Sequence, residues 1–390
     1  MTNIRDLYLH LCMSSVFKGV KEKPLFSSFL NYAKSTATDE KIKAYSAFVS
    51  EIYLSGLSLS ALVFRLVSED ENVYIKASAK GLPIRSEILV AAERELEVFE
   101  RFASLTPEEF SDDMGVDFVS PFVTEKIDFK QKYSERVANV SKYGYGIFSS
   151  FGMFRLSDNG EIEPIISADK TTVEKFVGYA EERARVIDNT VAFIEGRPAA
   201  NTLLCGDAGT GKSSTVKAVA NRFFSEGIRL IELRKDQLKY LPYVMGKVSD
   251  NPLKFIIFID DLAFNRSDDN FSMLKAALEG SASAKADNAV IYATSNRRHI
   301  IKETFGDREG NEVHINDTLQ ETLSLSERFG LVVLFQKPNK ALYLDIVHEL
   351  AKRNNLNIDR SELDMKAEAF ALRRGSRSAR CAEQFVESLM

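Results

Sequence analysis

Eight consecutive residues carry the clearest chemistry in this 390-residue chain: Gly206-Asp207-Ala208-Gly209-Thr210-Gly211-Lys212-Ser213. They match the phosphate-loop pattern G-x-x-x-x-G-K-[ST] at every fixed position, between an apolar run TLLC and a helical run SSTVKAVANRFF. Glycines in such a loop let backbone N–H groups converge on phosphate oxygens without side-chain interference. The helix that follows adds its positive N-terminal end, which extends the phosphate-facing stretch to Ser214. Lys212 sets a cation between the β- and γ-phosphates, and the Ser213 hydroxyl is suited to ligate Mg²⁺.

A phosphate loop needs a second acid to hold the metal, and FIIFIDD supplies it. Asp260 leaves a buried apolar strand for the site, and Asp261 is the candidate for polarising an attacking water. Two adjacent carboxylates at a strand end repel each other unless a cation sits there, which weighs against a merely solvated acidic turn. IYATSNRR puts Asn296 just past the end of another strand, where its amide would sense the γ-phosphate or orient water. LSLSERFG places Arg328 before the strand LVVLF, and ALRRGSRSAR gathers Arg373, Arg374, Arg377 and Arg380 around the start of the last helix. Each arginine also has a plainer reading as a surface pair or a solvated basic face, and Arg297 and Arg298 stay open between these roles. His299 and His314 are isolated and support no zinc site. Cys205, at the end of a buried strand, reads as a small core residue.

The elements that must position these groups follow from apolar spacing. Short, nearly unbroken apolar runs at Thr202–Cys205, Ile228–Leu233, Phe255–Ile259, Ala289–Ala293 and Leu331–Phe335 predict five strands buried on both faces of a parallel sheet. Amphipathic stretches between them, such as Phe271, Leu274 and Leu278 closed by Gly280, predict an α/β sandwich with right-handed crossovers. After Pro338, Lys340 to Arg353, Ser361 to Arg373 and Arg377 to Leu389 read as three helices of a small C-terminal subdomain. The polar, acid-rich segment from Asp307 to Glu321 reads as an exposed insertion.

Residues 1–145 read as a mainly helical domain. Its clearest helix runs from Ser86 to Leu105, with Ile88, Leu89, Ala92, Leu96, Phe99 and Phe102 at three- and four-residue steps. Thr106-Pro107-Glu108-Glu109 then has the pattern of a new helix start. Residues 146–170 read as a β-hairpin and linker around Ser157-Asp158-Asn159-Gly160, residues 171–338 as the α/β core, and 339–390 as a helical C-terminal subdomain.

Composition bounds the function. With 45% hydrophobic and 27% charged residues the chain is globular, and a net charge of -5 excludes a strongly basic nucleic-acid coat. Three scattered cysteines make neither a disulfide framework nor a metal knuckle, which suits a cytoplasmic protein. No run approaches the roughly 18 apolar residues that span a bilayer, and the first residues read as an amphipathic helix.

With these motifs in place, the chain from about Lys170 onward resembles the AAA+ ATPases. Walker A is GDAGTGKS, Walker B FIIFIDD, sensor 1 ATSN, the arginine-finger box LSERFG and sensor 2 GSRSAR. Together with FVGY before the first strand, the arrangement resembles a bacterial family of AAA+ ATP-binding proteins classed as a domain of unknown function. The resemblance implies ATP with Mg²⁺ between core and lid, and Phe176 to Tyr179, including Val177 and Gly178, near the adenine. It also implies Arg328 reaching a neighbouring subunit's γ-phosphate, and Arg380 as sensor 2 with Arg377 its rival one helical turn away. One departure is Asp261, where most AAA+ hydrolases carry glutamate. A carboxylate one methylene shorter lengthens the reach to water, and about 1 Å of misplacement can cost ~100-fold in rate. The IDDL and TSNR strings are similar to the helicase-loader and transposition-helper branch.

The expectation is an ATP hydrolase in which Lys212, Asp261, Asn296 and Arg328 act on the triphosphate while Ser213 and Asp260 hold the metal. A finger supplied in trans requires a homo-oligomer, a ring or filament, and the helical N-terminal domain would select a protein client. The alternative is an ATP-dependent assembly module whose turnover is slow. Nucleic-acid contact is expected to be weak and salt-sensitive, and no membrane partner is expected. A phosphotransferase has no acceptor-site signature here.

Overall fold

A computed structural model describes residues 4–167, 171–262, 286–296 and 328–390, together with 273–275 and 278. The chain divides into two compact units, Met1–Ser150 with Asn251–Leu253, and Phe151–Asp250 with Lys254–Met390.

The first unit is helical: α1 (Ile4–Met13), α2 (Pro24–Lys34), α3 (Thr38–Ser55), α4 (Leu59–Glu69), α5 (Val73–Ala79), α6 (Ser86–Ala103), α7 (Pro107–Met114), α8 (Phe129–Ala138) and α9 (Val140–Tyr143). Most of its phenylalanines are core residues, whereas Phe118 is exposed. Phe26, Phe29, Phe48, Phe102 and Phe110 are fully buried, and rings meet edge-on or tilted, as in Phe29–Phe102 at 4.7 Å and Phe48–Phe110 at 5.5 Å. α6 buries Ala92, Leu96, Phe99 and Phe102, as its spacing predicts, and Thr106 with Glu109 forms the reciprocal cap that starts α7. Glu95 is buried on the same face of α6 and accepts the amides of Ser15 at 2.7 Å, Val16 at 3.0 Å and Phe17 at 2.9 Å, which compensates its desolvation.

Asp70, just past the end of α4, is buried with less compensation. Burial pushes its carboxyl up to about 6, against the opposite pull of Asn72 and Lys23. The ordinary value lies near 3.9, so between about pH 4 and 6 the folded chain holds a proton that the unfolded chain releases. Stability therefore falls as pH rises through that interval, and the cost is complete above it. Asp70→Asn is expected to gain about 2–3 kcal/mol on the wild type between about pH 4 and pH 7, read from hydrogen-exchange protection of the α4 amides. Parallel pH profiles for the two proteins would contradict this.

In the second unit, strands β1 (Met153–Leu156), β2 (Ile162–Pro164), β3 (Thr202–Gly206), β4 (Ile228–Leu233), β5 (Lys254–Ile259), β6 (Ala289–Ser295) and β7 (Leu331–Phe335) form one sheet in the order β2-β1-β4-β5-β6-β3-β7. The five predicted strands are present and mutually parallel, in the order β4-β5-β6-β3-β7. Two further strands correct the expected count of five to seven. The hairpin read as part of a linker is built into the sheet: β1 pairs parallel with β4, and β2 returns antiparallel with Arg155 opposite Glu163. Its turn is closed by Gly160 N–H donating to the Ser157 carbonyl at 3.0 Å, with Gly160 at φ 83°. β1 docks because Phe154 and Leu156 bury in a sheet whose edge would otherwise end at β4.

Helix α10 (Ala180–Ile194) precedes β3, α11 (Lys212–Arg222) follows it, and α12 (Leu241–Ser249) lies between β4 and β5. Val216 and Val219 of α11 pack with Leu204, Ile256 and Phe258 of the sheet. Residues 273–275 and 278, on the amphipathic stretch after β5, are helical. Phe271, Gly280, Arg297, Arg298, His299, His314 and the acidic stretch 307–321 lie outside the described residues. The lid consists of α13 (Lys340–Arg353), α14 (Arg360–Arg374) and α15 (Ala379–Glu387), packed on Tyr343, Ile346, Leu363, Ala367 and Phe385. α15 starts two residues later than expected because Ser378 caps it, accepting from Cys381 N at 3.1 Å. Among the described residues no single helix is long and apolar enough to cross a membrane.

Candidate nucleotide site

Three neighbouring parallel strands, β5, β6 and β3, end beside one cleft of about 380 Å³. Ligand sites of open α/β sheets form at such carboxyl ends. From β3 the chain turns through Gly206, Gly209 and Gly211, with φ of 133°, 74° and 86°. Only at Gly206 is a side chain excluded by backbone. A Cβ there would stand 2.0 Å from the Phe335 carbonyl oxygen of β7. The loop then enters α11 at Lys212, and Ala208 to Ser214 line the cleft.

Lys212 is 5% exposed. Its ammonium donates to three uncharged oxygens: the Gly206 carbonyl at 3.0 Å, the Asp207 carbonyl at 2.7 Å and Asn296 Oδ1 at 3.0 Å. Burial pushes its pKa below the ordinary lysine range, opposed by the more distant Asp207, Asp261 and Asp260 charges. A desolvated cation held only by neutral acceptors is a receptor for an anion.

The carboxylates come from the end of β5. Ser213 Oγ donates to Asp260 Oδ1 at 2.6 Å, the Thr294 hydroxyl donates to the same oxygen, and Asp261 N–H reaches it at 3.1 Å. Asp261 is a non-glycine residue at φ 50°, fixed by its N–H to Thr294 Oγ1 at 2.9 Å and by Asn296 Nδ2 donating to its Oδ1 at 2.7 Å. Asn296 thus bridges Lys212 and Asp261. The juxtaposed hydroxyl and carboxylate oxygens of Ser213 and Asp260 are the hard donor set that Mg²⁺ takes, so the residues present fit that ion.

The remaining wall is partly apolar, from Phe176, Val177, Ile346 and Leu350, with Tyr179, Arg183, Arg380 and Glu383 around it. Arg183 is buried, donates to the Gly178 carbonyl and lies 5.3 Å from the Phe176 ring centre. Sequence reading missed Arg183, Ile346, Leu350 and Glu383. They stand on helices α10, α13 and α15 without a motif, and only packing brings them together. Thr294, inside the sensor-1 string, was legible but passed over.

Several expected site residues stand elsewhere. Gly206 and Asp207 are not in the cleft wall: Gly206 is packed against β7, and Asp207 N–H donates to the Phe335 carbonyl at 3.1 Å. Gly178 presses on Leu342 of α13, where a Cβ would come within 2.6 Å of its Cδ1. Of the two sensor-2 rivals, Arg380 lines the cleft and its N–H donates to the Gly209 carbonyl at 3.3 Å. Arg377 turns away into a two-bond pair with Glu368, at 3.1 and 2.8 Å. Arg328 lies just before β7 and is not part of the cleft wall of its own chain.

The family described as "Protein of unknown function (DUF815)" matches residues 149–390. The chain belongs to the DUF815 family. The match covers the α/β unit and lid, whose strand order, phosphate loop and helical lid make this stretch of the DUF815 chain a P-loop NTPase of the AAA+ superfamily. The DUF815 chain is also similar to the chaperone protein ClpB of Rickettsia bellii and of Rickettsia felis, 26% identical over 199 residues in each case. That stretch is 44% of this chain and 21% of each ClpB, so the chain spans about a fifth of the curated relatives it matches. Among solved structures, the Thermotoga maritima RuvB Holliday junction branch migration motor aligns at 11% identity and a TM-score of 0.35, over 56% of this chain and 72% of that one.

Gly206→Ala tests the local packing on which the loop rests. The added methyl forces β3 and β7 apart, at a cost of ~3 kcal/mol. The expected result is a clearly lower unfolding temperature for the α/β unit by calorimetry, and an unchanged one would show that the strands yield freely.

Proposed function

We propose that this chain binds ATP with Mg²⁺ in the cleft and hydrolyses it. The observation that carries the reading is Lys212: buried, cationic, held by uncharged oxygens, and set at the start of α11 beside the Ser213–Asp260 pair. In this reading the amides from Ala208 to Ser214 and the Lys212 ammonium take the β- and γ-phosphates. Ser213 and Asp260 would hold Mg²⁺, which when bound neutralises charge on the β- and γ-phosphate oxygens. The base rests on the apolar wall of Phe176, Val177, Ile346 and Leu350.

Hydrolysis adds water to the γ-phosphorus and breaks its bond to the β,γ-bridging oxygen, yielding ADP and phosphate. Asp261 and Asn296 orient that water. Arg380 from the lid, and Arg328 from a neighbouring copy, stabilise the charge developing on the γ-phosphoryl oxygens. A finger from a second copy makes the working form a nucleotide-dependent homo-oligomer, and the helical first unit selects its protein client.

One observation favours a second reading, an ATP-timed assembly switch with slow turnover. Asn296 is engaged at both ends, by Lys212 and by Asp261, so the hydrolytic groups must be released from each other before they act.

Calorimetry and steady-state turnover test both readings. Lys212→Ala is expected to abolish the heat of ATP binding. Asp261→Asn is expected to keep ATP binding within severalfold while turnover falls ~100-fold or more, and Arg328→Ala to make turnover insensitive to protein concentration. Wild type that binds ATP yet turns over no faster than Asp261→Asn sinks the hydrolase and leaves the switch. No heat with wild type sinks both.

A further inference from the structure

Between Phe335 at the end of β7 and Lys340 at the start of α13, the chain passes from sheet to lid in four residues, Gln336-Lys337-Pro338-Asn339. This joint is stiff. Lys337 precedes a proline, which steers it away from the helical region, and Pro338 has a fixed φ. Asn339 caps α13, its side chain accepting from Leu342 N at 2.9 Å. With so little freedom, whatever holds Lys337 sets the direction of the lid.

Two side chains hold the peptide unit that joins Gln336 to Lys337. Asp207 Oδ2 accepts from Lys337 N at 2.8 Å, and the Tyr179 hydroxyl donates to the Gln336 carbonyl at 2.6 Å. Asp207 belongs to the phosphate loop and Tyr179 to the cleft wall, so the lid root is fastened from both. Tyr179 sits at φ 52°, with its ring 5.4 Å from that of Phe335, a left-handed conformation that its neighbours must sustain. The lid meets the loop a second time where Arg380 N–H donates to Gly209. Asp207 is outside the cleft wall, and a carboxylate would repel a triphosphate. Its role lies in the bond to the lid root.

We propose that Asp207 is a positioning residue that makes filling of the phosphate loop and setting of the lid a single event. This rests on the nucleotide reading above. Phosphate bound by the amides after Asp207 holds the loop, the loop holds the Asp207 carboxylate, and the carboxylate holds Lys337 at the head of the lid. Arg380 then comes to the γ-phosphate with the lid already oriented.

The test compares full-length wild type, Asp207→Ala and Asp207→Asn by hydrogen exchange of the 336–345 segment, with and without ATP and Mg²⁺, beside steady-state turnover. Asparagine keeps a carbonyl acceptor for the Lys337 amide, so it separates the lost bond from a damaged fold. In wild type, ATP is expected to slow exchange across the lid root. In Asp207→Ala that segment exchanges on the order of tenfold faster without nucleotide, and ATP no longer slows it. Its kcat falls on the order of tenfold, with KM changed less, and Asp207→Asn recovers most of both. ATP-dependent protection in Asp207→Ala equal to wild type overturns the proposal, as does an Asp207→Asn no better than alanine. Wild type without calorimetric heat for ATP overturns the nucleotide reading and the coupling with it. The nucleotide-free exchange then reports on the Asp207 tie separately.

Discussion

A buried ammonium whose hydrogen-bond partners are all uncharged is the constraint around which the α/β unit is organised. Lys212 loses its hydration on folding, and three neutral oxygens return only part of it. Those oxygens come from the last residue of β3, the first residue of the loop after it and the residue after β6, so the parallel register of the two strands decides whether the cation has partners at all. Leu204 opposite Thr294 and Cys205 opposite Ser295 set that register. A slip of one residue would turn Thr294 and Asn296 to the other face of the sheet. Polar groups of β6 with fixed partners oppose the slip: the Tyr292 hydroxyl meets Asn189 and Thr190, and the Ile291 N–H donates to Asn201 Oδ1 at 2.9 Å.

Much of this was legible in the residue order. Apolar runs marked five strands because strands covered on both faces show no polar alternation, and the phosphate loop declared itself by glycine spacing. The limits are equally physical. β1 and β2, four and three residues long, are too short to announce their partner, since joining a sheet edge is a tertiary event. Arg377 and Arg380 are one turn apart, and their division depends on Glu368, nine residues before Arg377, which meets it only once α14 and α15 pack. The apolar cleft wall is drawn from the loop before α10 and from α13, distant in sequence, and no spacing rule links Phe176 to Leu350.

The paired acids show how backbone and chemistry constrain each other. Asp261 occupies the left-handed region, which aspartate tolerates better than most side chains because its short polar group bonds locally. The turn out of β5 thus supplies a conformational reason for aspartate where most AAA+ hydrolases carry glutamate. The same turn brings its carboxylate to Asn296, and through Asn296 to Lys212. A chain of side-chain bonds therefore runs across the ends of β5, β6 and β3, and the hydroxyls of Ser213 and Thr294 join it at Asp260.

The outer strand of the sheet has a consequence of a different kind. β2 is three residues long, runs against the grain of its neighbour and finishes at Pro164, which has no N–H to offer. Another polypeptide seeking to add itself to this margin would find almost no template. The hairpin works as a selvedge: it finishes the fabric on one side, and any polypeptide that meets this margin would do so through side-chain surfaces, not by extending the weave.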